Sequence, residues 1–238
     1  AAPPTSGLRA ISPVRMLDTR PTGVTIDGVA QAGGAIAAGG TIFVPIADRA
    51  GIPINAGAAW VNLIAVNPSA GGYLTAYPCG AALPNASLLN VAAGTTRANG
   101  GLVKIGNSSS ICIFSSVATH LVLDVMAYTG SRSLTVPRSP ARILDTRPTG
   151  LTIDTIGQAG GQLGGNTETV VPLAGRAGVL PSTRQVVLNL TAIGTANGYV
   201  QVRTCGSGST GSTVNVLPGQ AVADSVVVAL DTRQRLCI

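Results

Sequence analysis

Charge, aromatic rings and histidine are all scarce in this chain, and each scarcity removes a class of function. Asp, Glu, Lys and Arg together make up 10% of 238 residues, aromatics make up 3%, and His120 is the single histidine. A nucleic-acid surface gathers basic residues among stacking aromatics. Here fourteen arginines and one lysine are scattered, so the net charge of +6 points to local pairing with the nine acids, or to weak attraction towards anionic glycans. No nucleic-acid partner is expected. A general base needs a positioned titratable group; His120 stands alone in an apolar stretch and reads as a packed strand residue rather than a catalytic one. Neither C-x-x-C nor an Asp-x-Asp-x-Asp-Gly loop occurs, so zinc and calcium sites are not expected, and no cofactor is called for. No glycine pair stands between a strand and a helix as a phosphate cradle would. No window of eighteen apolar residues exists, which leaves no membrane-spanning helix. A basic stretch followed by an apolar one is also lacking at the start, so Ala1-Ala2-Pro3-Pro4 reads as the mature end left by a removed signal peptide.

What the chain has in quantity is small and turn-forming residues, with 31 glycines and 15 prolines beside 45% hydrophobic residues. Such a mixture suits short strands joined by tight turns. Apolar, β-rich runs fall at 41–46, 59–66, 73–77, 87–91, 102–105, 110–114 and 120–126. Gly-Gly, Asn-Pro, Pro-Asn and Gly-Asn breaks separate them at intervals of roughly 10 to 15 residues, the rhythm of a β-sandwich or barrel. Further runs at 167–173, 185–193, 199–203, 213–217, 225–230 and 236–238 continue the series. No segment carries a sustained 3.6-residue apolar stripe with caps, so helix is expected to be scarce and the fold all-β.

The chain is read twice because it repeats itself. Leu17-Asp18-Thr19-Arg20-Pro21-Thr22-Gly23 recurs letter for letter as Leu144-Asp145-Thr146-Arg147-Pro148-Thr149-Gly150. In the same register Asp27 meets Asp154, Gln31 meets Gln158, Arg49 meets Arg176 and Asn62 meets Asn189, all at an offset of 127. The offset falls to 126 at Tyr73 and Tyr199 and to 125 at Asn90 and Asn215, so two single-residue gaps suffice. This predicts two tandem homologous β-domains, over 11–130 and 139–238, with a leader at 1–10 and a linker at 131–138. Units of about 110 to 120 residues are each long enough for a core. The cysteines keep the register, Cys79 with Cys205 and Cys112 with Cys237. An arrangement inherited by both copies joins Cys79 to Cys112 and Cys205 to Cys237, each bridge stabilising its unit by roughly 3 to 4 kcal/mol. Disulfides place the protein in an oxidising, extracellular compartment or on a cell surface.

In the repeated motif, Asp18 with Arg20 and Asp145 with Arg147 combine a turn-forming carboxylate with a forked donor, which suits a locked turn; ligand binding is the alternative. A third Leu230-Asp231-Thr232-Arg233 aligns with 105–108 and reads as a hairpin turn that matches by chance. The motif, with Gln-Ala-Gly-Gly at 31–34 and 158–161, Arg-Ala-Gly at 49–51 and 176–178, a Gly-Tyr pair and a closing Leu-Asp-Val-Met-Ala-Tyr, resembles the LDTR-type β repeats of secreted bacterial cell-surface proteins. The resemblance implies an all-β repeat with no catalytic residues to carry over. Proteins of this type often accompany peptidase or cell-wall hydrolase domains.

The two copies differ at the close. After Cys112-Ile113 the first runs on through Leu121-Val122-Leu123-Asp124-Val125, whereas the second copy stops at Cys237-Ile238, one strand short. A sheet deprived of a strand is a template for another chain. Three fillers are considered: a continuation of this chain, residues 117–128, or a strand donated by another molecule, with 8–14 as a candidate donor. The third makes head-to-tail polymers of identical copies. The expectation is therefore a non-enzymatic structural protein of an extracellular filament or surface layer. The alternative is a tandem carbohydrate or cell-wall binding module, for which Tyr73 and Tyr199, equivalent in the two copies, are the candidate ligand residues.

Overall fold

The computed structural model describes residues 7–130, 135–208 and 212–238. Strand makes up 44% of the protein and helix 1%, so it is all-β. The chain divides into two compact units, Ala1–Ser139 and Pro140–Ile238. Residues 1–6 of the expected leader and 131–134 of the expected linker lie outside the described residues. The remainder of the leader is not a separate segment. The first strand starts inside it, and Leu8, Arg9 and Ala10 pair with Thr129, Tyr128 and Ala127.

Unit 1 contains β1 (Leu8–Asp18), β2 (Gly40–Pro45), β3 (Ala58–Val66), β4 (Gly72–Pro78), β5 (Leu89–Val91), β6 (Thr96–Lys104), β7 (Ser110–Ser115) and β8 (His120–Thr129). They form two four-stranded antiparallel sheets, ordered β1-β8-β3-β6 and β2-β7-β4-β5. Only β4 and β5 pair as sequence neighbours; every other pairing joins strands distant in sequence. Alternation explains how the sheets share a core. Along β3, Ala59, Val61, Leu63 and Ala65 are fully buried, while Trp60, Asn62 and Ile64 between them are half-exposed. Val61 and Leu63 join Leu121, Leu123 and Val125 from one sheet with Val44, Leu74, Ile111 and Ile113 from the other in a single apolar cluster. The register of β1 slips between Ala10 and Val14, around Pro13, which has no N–H for a ladder.

Strand β6 is longer than the expected 102–105 because Ala98-Asn99-Gly100-Gly101, a turn by composition, is strand in fact. Buried Asn99 spends its amide on the Leu88 carbonyl at 2.6 Å. A Cβ on Gly100 would come within 3.4 Å of the Trp60 indole nitrogen, so the bare glycine leaves room for the ring.

Unit 2 contains β9 (Val170–Pro172), β10 (Gln185–Ile193), β11 (Gly198–Val200), β12 (Arg203–Thr204), β13 (Val214–Val216), β14 (Ala221–Ala229) and β15 (Arg235–Cys237). Its sheets are β10-β14, β11-β13 and β12-β15-β9. The pairings fall on those of unit 1. Ala58 faces Lys104 and Val66 faces Thr96, as Gln185 faces Ala229 and Ile193 faces Ala221. Phe43 faces Cys112, as Val170 faces Cys237; Tyr73 faces Asn90, as Tyr199 faces Asn215. The single strand expected at 199–203 is two short ones, β11 and β12. The core is thinner, with Val171, Leu173, Val202, Val228, Leu230 and Leu236 buried.

Residues 230–233 turn the chain from β14 into β15. This is not a hairpin, because β14 pairs with β10 while β15 pairs with β9 and β12. The Asp231 carboxylate is forked by Arg235, not by the Arg233 that completes the four-letter match.

Candidate functional site

In the first copy of the motif, Asp18 closes β1 with its carboxylate fully buried. Arg20 folds back onto it, Nε donating to Oδ1 at 2.9 Å and Nη2 to Oδ2 at 2.6 Å, while the Arg20 N–H also reaches Oδ1. Gly23 N–H bonds the Arg20 carbonyl and closes the Pro-Thr-Gly turn. A Cβ on Gly23 would sit 2.6 Å from the Asp18 backbone and carboxylate oxygens, so glycine is required by contact. The second copy repeats this with Arg147 on Asp145 at 2.9 and 2.6 Å, and Gly150 N–H on the Arg147 carbonyl. The arginine holds each carboxyl below its ordinary range, and Asp145 falls to about 2. With both oxygens engaged by their own loop, these groups lock a turn.

Two further arginines, whose register the sequence showed without their role, carry more. The buried Arg49 forks Asp27 at 2.7 and 2.6 Å and also donates to the Met16, Val29 and Pro45 carbonyls. Arg176 does the same with Asp154 and the Ile143, Ile156 and Pro172 carbonyls. Each joins the loop of its own aspartate to two further stretches of chain, at Met16 and Pro45 or at Ile143 and Pro172. Five donors in a rigid fork make this feasible for arginine alone. The partners are 22 residues away, a spacing with no local signature.

The disulfides are Cys79–Cys112 and Cys205–Cys237. Two such bridges suit an oxidising compartment. Tyr73 and Tyr199 occupy equivalent outward positions and are 41% and 67% exposed. Tyr73 stands 5.9 Å from the Phe114 ring, and Phe43, two residues along β2 from the partner of Phe114, is 65% exposed. This aromatic row on unit 1 was not foreseen, because its members lie on three separate strands. Nδ1 of His120 lies 3.1 Å from the Thr19 carbonyl oxygen, within the β1–β8 seam. Among the described residues no three His, Cys, Asp or Glu side chains gather as metal ligands, and no helix is long and apolar enough to cross a membrane.

The two units differ most plainly beside β10. In unit 1 the equivalent edge of β3 is taken by β8, which is laddered to β3 on one side and β1 on the other. In unit 2 no strand among the described residues ladders to that edge of β10. Val186, Leu188, Leu190 and Ala192 stand where Ala59, Val61, Leu63 and Ala65 stand in β3, yet they are half-exposed instead of buried. The far border is in place. Arg176 holds the Ile143 carbonyl as Arg49 holds that of Met16. Ile153 N–H bonds the Arg142 carbonyl as Ile26 N–H bonds that of Arg15, and Ala159 N–H bonds the Asp145 carbonyl as Ala32 N–H bonds that of Asp18. Residues 142–146 thus hold the position of the inner half of β1, with no strand laddered to them among the described residues.

Of the fillers considered from the sequence, residues 117–128 are not available in this structure, since β8 is laddered on both edges in unit 1. Residues 8–14 are also paired, but on one edge only and with a break in register, and they are largely exposed. No protein-family model, no curated protein and no solved structure matches this chain.

Proposed function

We propose that the protein is a non-enzymatic structural subunit of an extracellular filament or surface layer, in which a strand from a neighbouring copy completes unit 2. The observation that carries this is the half-exposed inner row of β10 beside a fully buried counterpart in β3. A sheet edge with a half-exposed apolar face favours capture of a strand, and a strand passed from each copy to the next generates an open, head-to-tail series. Residues 8–14 are the candidate donor, being largely exposed and laddered only to β8 among the described strands. Sedimentation of the full chain over a wide concentration range, with electron microscopy of the concentrated sample, tests this. Mass should grow with concentration into regular assemblies, and a folded monomer at the highest concentration would overturn the reading.

A second reading has an observation of its own. The outward Tyr73, Phe114 and Phe43 on unit 1, with Tyr199 at the matching place on unit 2, offer aromatic faces to the C–H face of a sugar ring. Under this reading the protein is a tandem carbohydrate or cell-wall binding module. Retention on polysaccharide or peptidoglycan that disappears in the Tyr73→Ala, Tyr199→Ala double variant would favour it over the filament.

A further inference from the structure

Residues 78–81, at the end of β4, and residues 104–107, at the end of β6, border an open cavity of about 400 Å³ in unit 1, together with Ser139. Its walls are fixed. The Asn107 N–H bonds the Cys79 carbonyl at 2.8 Å, and Cys79 is bridged to Cys112 on β7. A Cβ on Gly106 would overlap the Cys79 backbone, so only glycine lets the two turns come this close. The volume lies in the range of small-ligand sites, roughly 300 to 1,000 Å³.

Lys104, the single lysine of the chain, is the one charged residue lining this cavity. Asn107 and Ser139 line it too, and all three residues are exposed. Among the described residues none of the three side chains is hydrogen-bonded to the protein. A lysine on an edge strand such as β6 also discourages sheets from joining edge to edge. That role calls for neither a cavity nor two neutral polar groups beside the charge.

The second unit lacks this arrangement. Thr204 stands where Pro78 stands, and its hydroxyl bonds the Ala229 carbonyl at 2.8 Å, a link between the two turns that Pro78 cannot make. Ala229 takes the place of Lys104, and Asp231, forked by Arg235, takes that of Gly106. The lysine is gone and an acid has arrived.

We propose that the cavity of unit 1 binds a monoanionic sugar, a uronate unit of an acidic polysaccharide, its carboxylate on the Lys104 ammonium and its hydroxyls on Asn107 and Ser139. One cation suits one negative charge, and a carboxamide and a hydroxyl both donate and accept, as sugar hydroxyls require. Pro78 and Ile105 offer apolar surface to the C–H face of the ring. A phosphate is a poorer fit, because it seeks a nest of backbone N–H groups. Those of Ala81, Ile105, Gly106 and Asn107 are spent on the carbonyls of Pro78, Gly57, Ser110 and Cys79. A peptide laddering to the backbone meets the same obstacle. The lining residues belong neither to β10 nor to the aromatic row, so this inference rests on neither function proposed above.

Saturation-transfer NMR observed on the ligand, with glucuronate added to the full chain, reads a monomer and a polymer alike. Saturable binding is expected with a dissociation constant on the order of 1 mM, the affinity that about a dozen non-hydrogen atoms supply at ordinary efficiency. Glucose, which lacks the charge, should bind roughly tenfold more weakly, and so should glucuronate to Lys104→Gln. Lys104 is exposed, so the variant should keep the urea midpoint of the parent. N-acetylalanine, a carboxylate without the ring hydroxyls, should also bind more weakly than glucuronate. Absence of saturable binding, equal affinity for glucose, or undiminished binding to a folded Lys104→Gln would overturn the site. N-acetylalanine binding as tightly as glucuronate would overturn the assignment to a sugar.

Discussion

Arg49 and Arg176 show how much one side chain can hold when its donors are pre-shaped. Each satisfies a carboxylate and three backbone carbonyls from separate stretches of the chain, groups that a lysine reaches with three donors around one point and no fork. Arg49→Lys, which keeps the charge, is therefore expected to destabilise unit 1 by about 2 kcal/mol or more by stranding buried acceptors. Urea titration followed at Trp60, in unit 1, should read it. The turn carboxylates give a pH signature. Asp145, ordinarily near 3.8, is held at about 2 by Arg147, so its contribution is complete above about pH 5 and drains away as pH falls through 2. Asp145→Asn should then cost about 2 kcal/mol at neutral pH and almost nothing at pH 2, a difference visible in urea midpoints measured across that range. The sequence made the Asp-Thr-Arg turn readable, because its partners are two residues apart. Arg49 and Asp27 were readable only as repeated letters, since a bond spanning 22 residues is made by the fold and leaves no local pattern.

At the scale of elements, strands with plain alternation were legible and those with exceptions were not. β10 runs over the expected 185–193, whereas β6 hides Asn99 and Gly100, residues that look like a turn until the Leu88 carbonyl and the Trp60 ring are placed beside them. The start of β1, residues 8–10, was concealed in an apparent leader, and Ser12 and Pro13 interrupt the pattern of the rest where the register slips. The cysteines, by contrast, were legible from register alone. Their bridges stand at equivalent places but do unequal service. Cys79–Cys112 reinforces a four-stranded sheet, while Cys205–Cys237 ties the two-residue β12 into a sheet of short strands. Replacing either pair by alanine should cost about 2 to 5 kcal/mol. The loss of Cys205–Cys237 is expected to unfold unit 2 at temperatures where the loss of Cys79–Cys112 leaves unit 1 folded, and proteolysis with cleavage sites mapped by mass spectrometry distinguishes the two.

For the whole molecule, the two units share a pairing scheme but not a degree of completion. Unit 1 closes its core with β8, while unit 2 leaves the equivalent row half-exposed and buries six side chains in its main cluster. Burying a leucine or valine side chain is worth about 1.5 to 3 kcal/mol, so an inner row left half in water forfeits several such contributions. Calorimetry of the full chain should therefore show two transitions, with unit 2 melting first. Their response to concentration separates an isolated protein from an assembling one. A unit completed by a neighbour's strand gains stability by mass action, so its melting point climbs with protein concentration while that of unit 1 stays fixed. An unfolding step of unit 2 that stays at the same temperature over a hundredfold change in concentration would mean that no neighbour's strand completes unit 2.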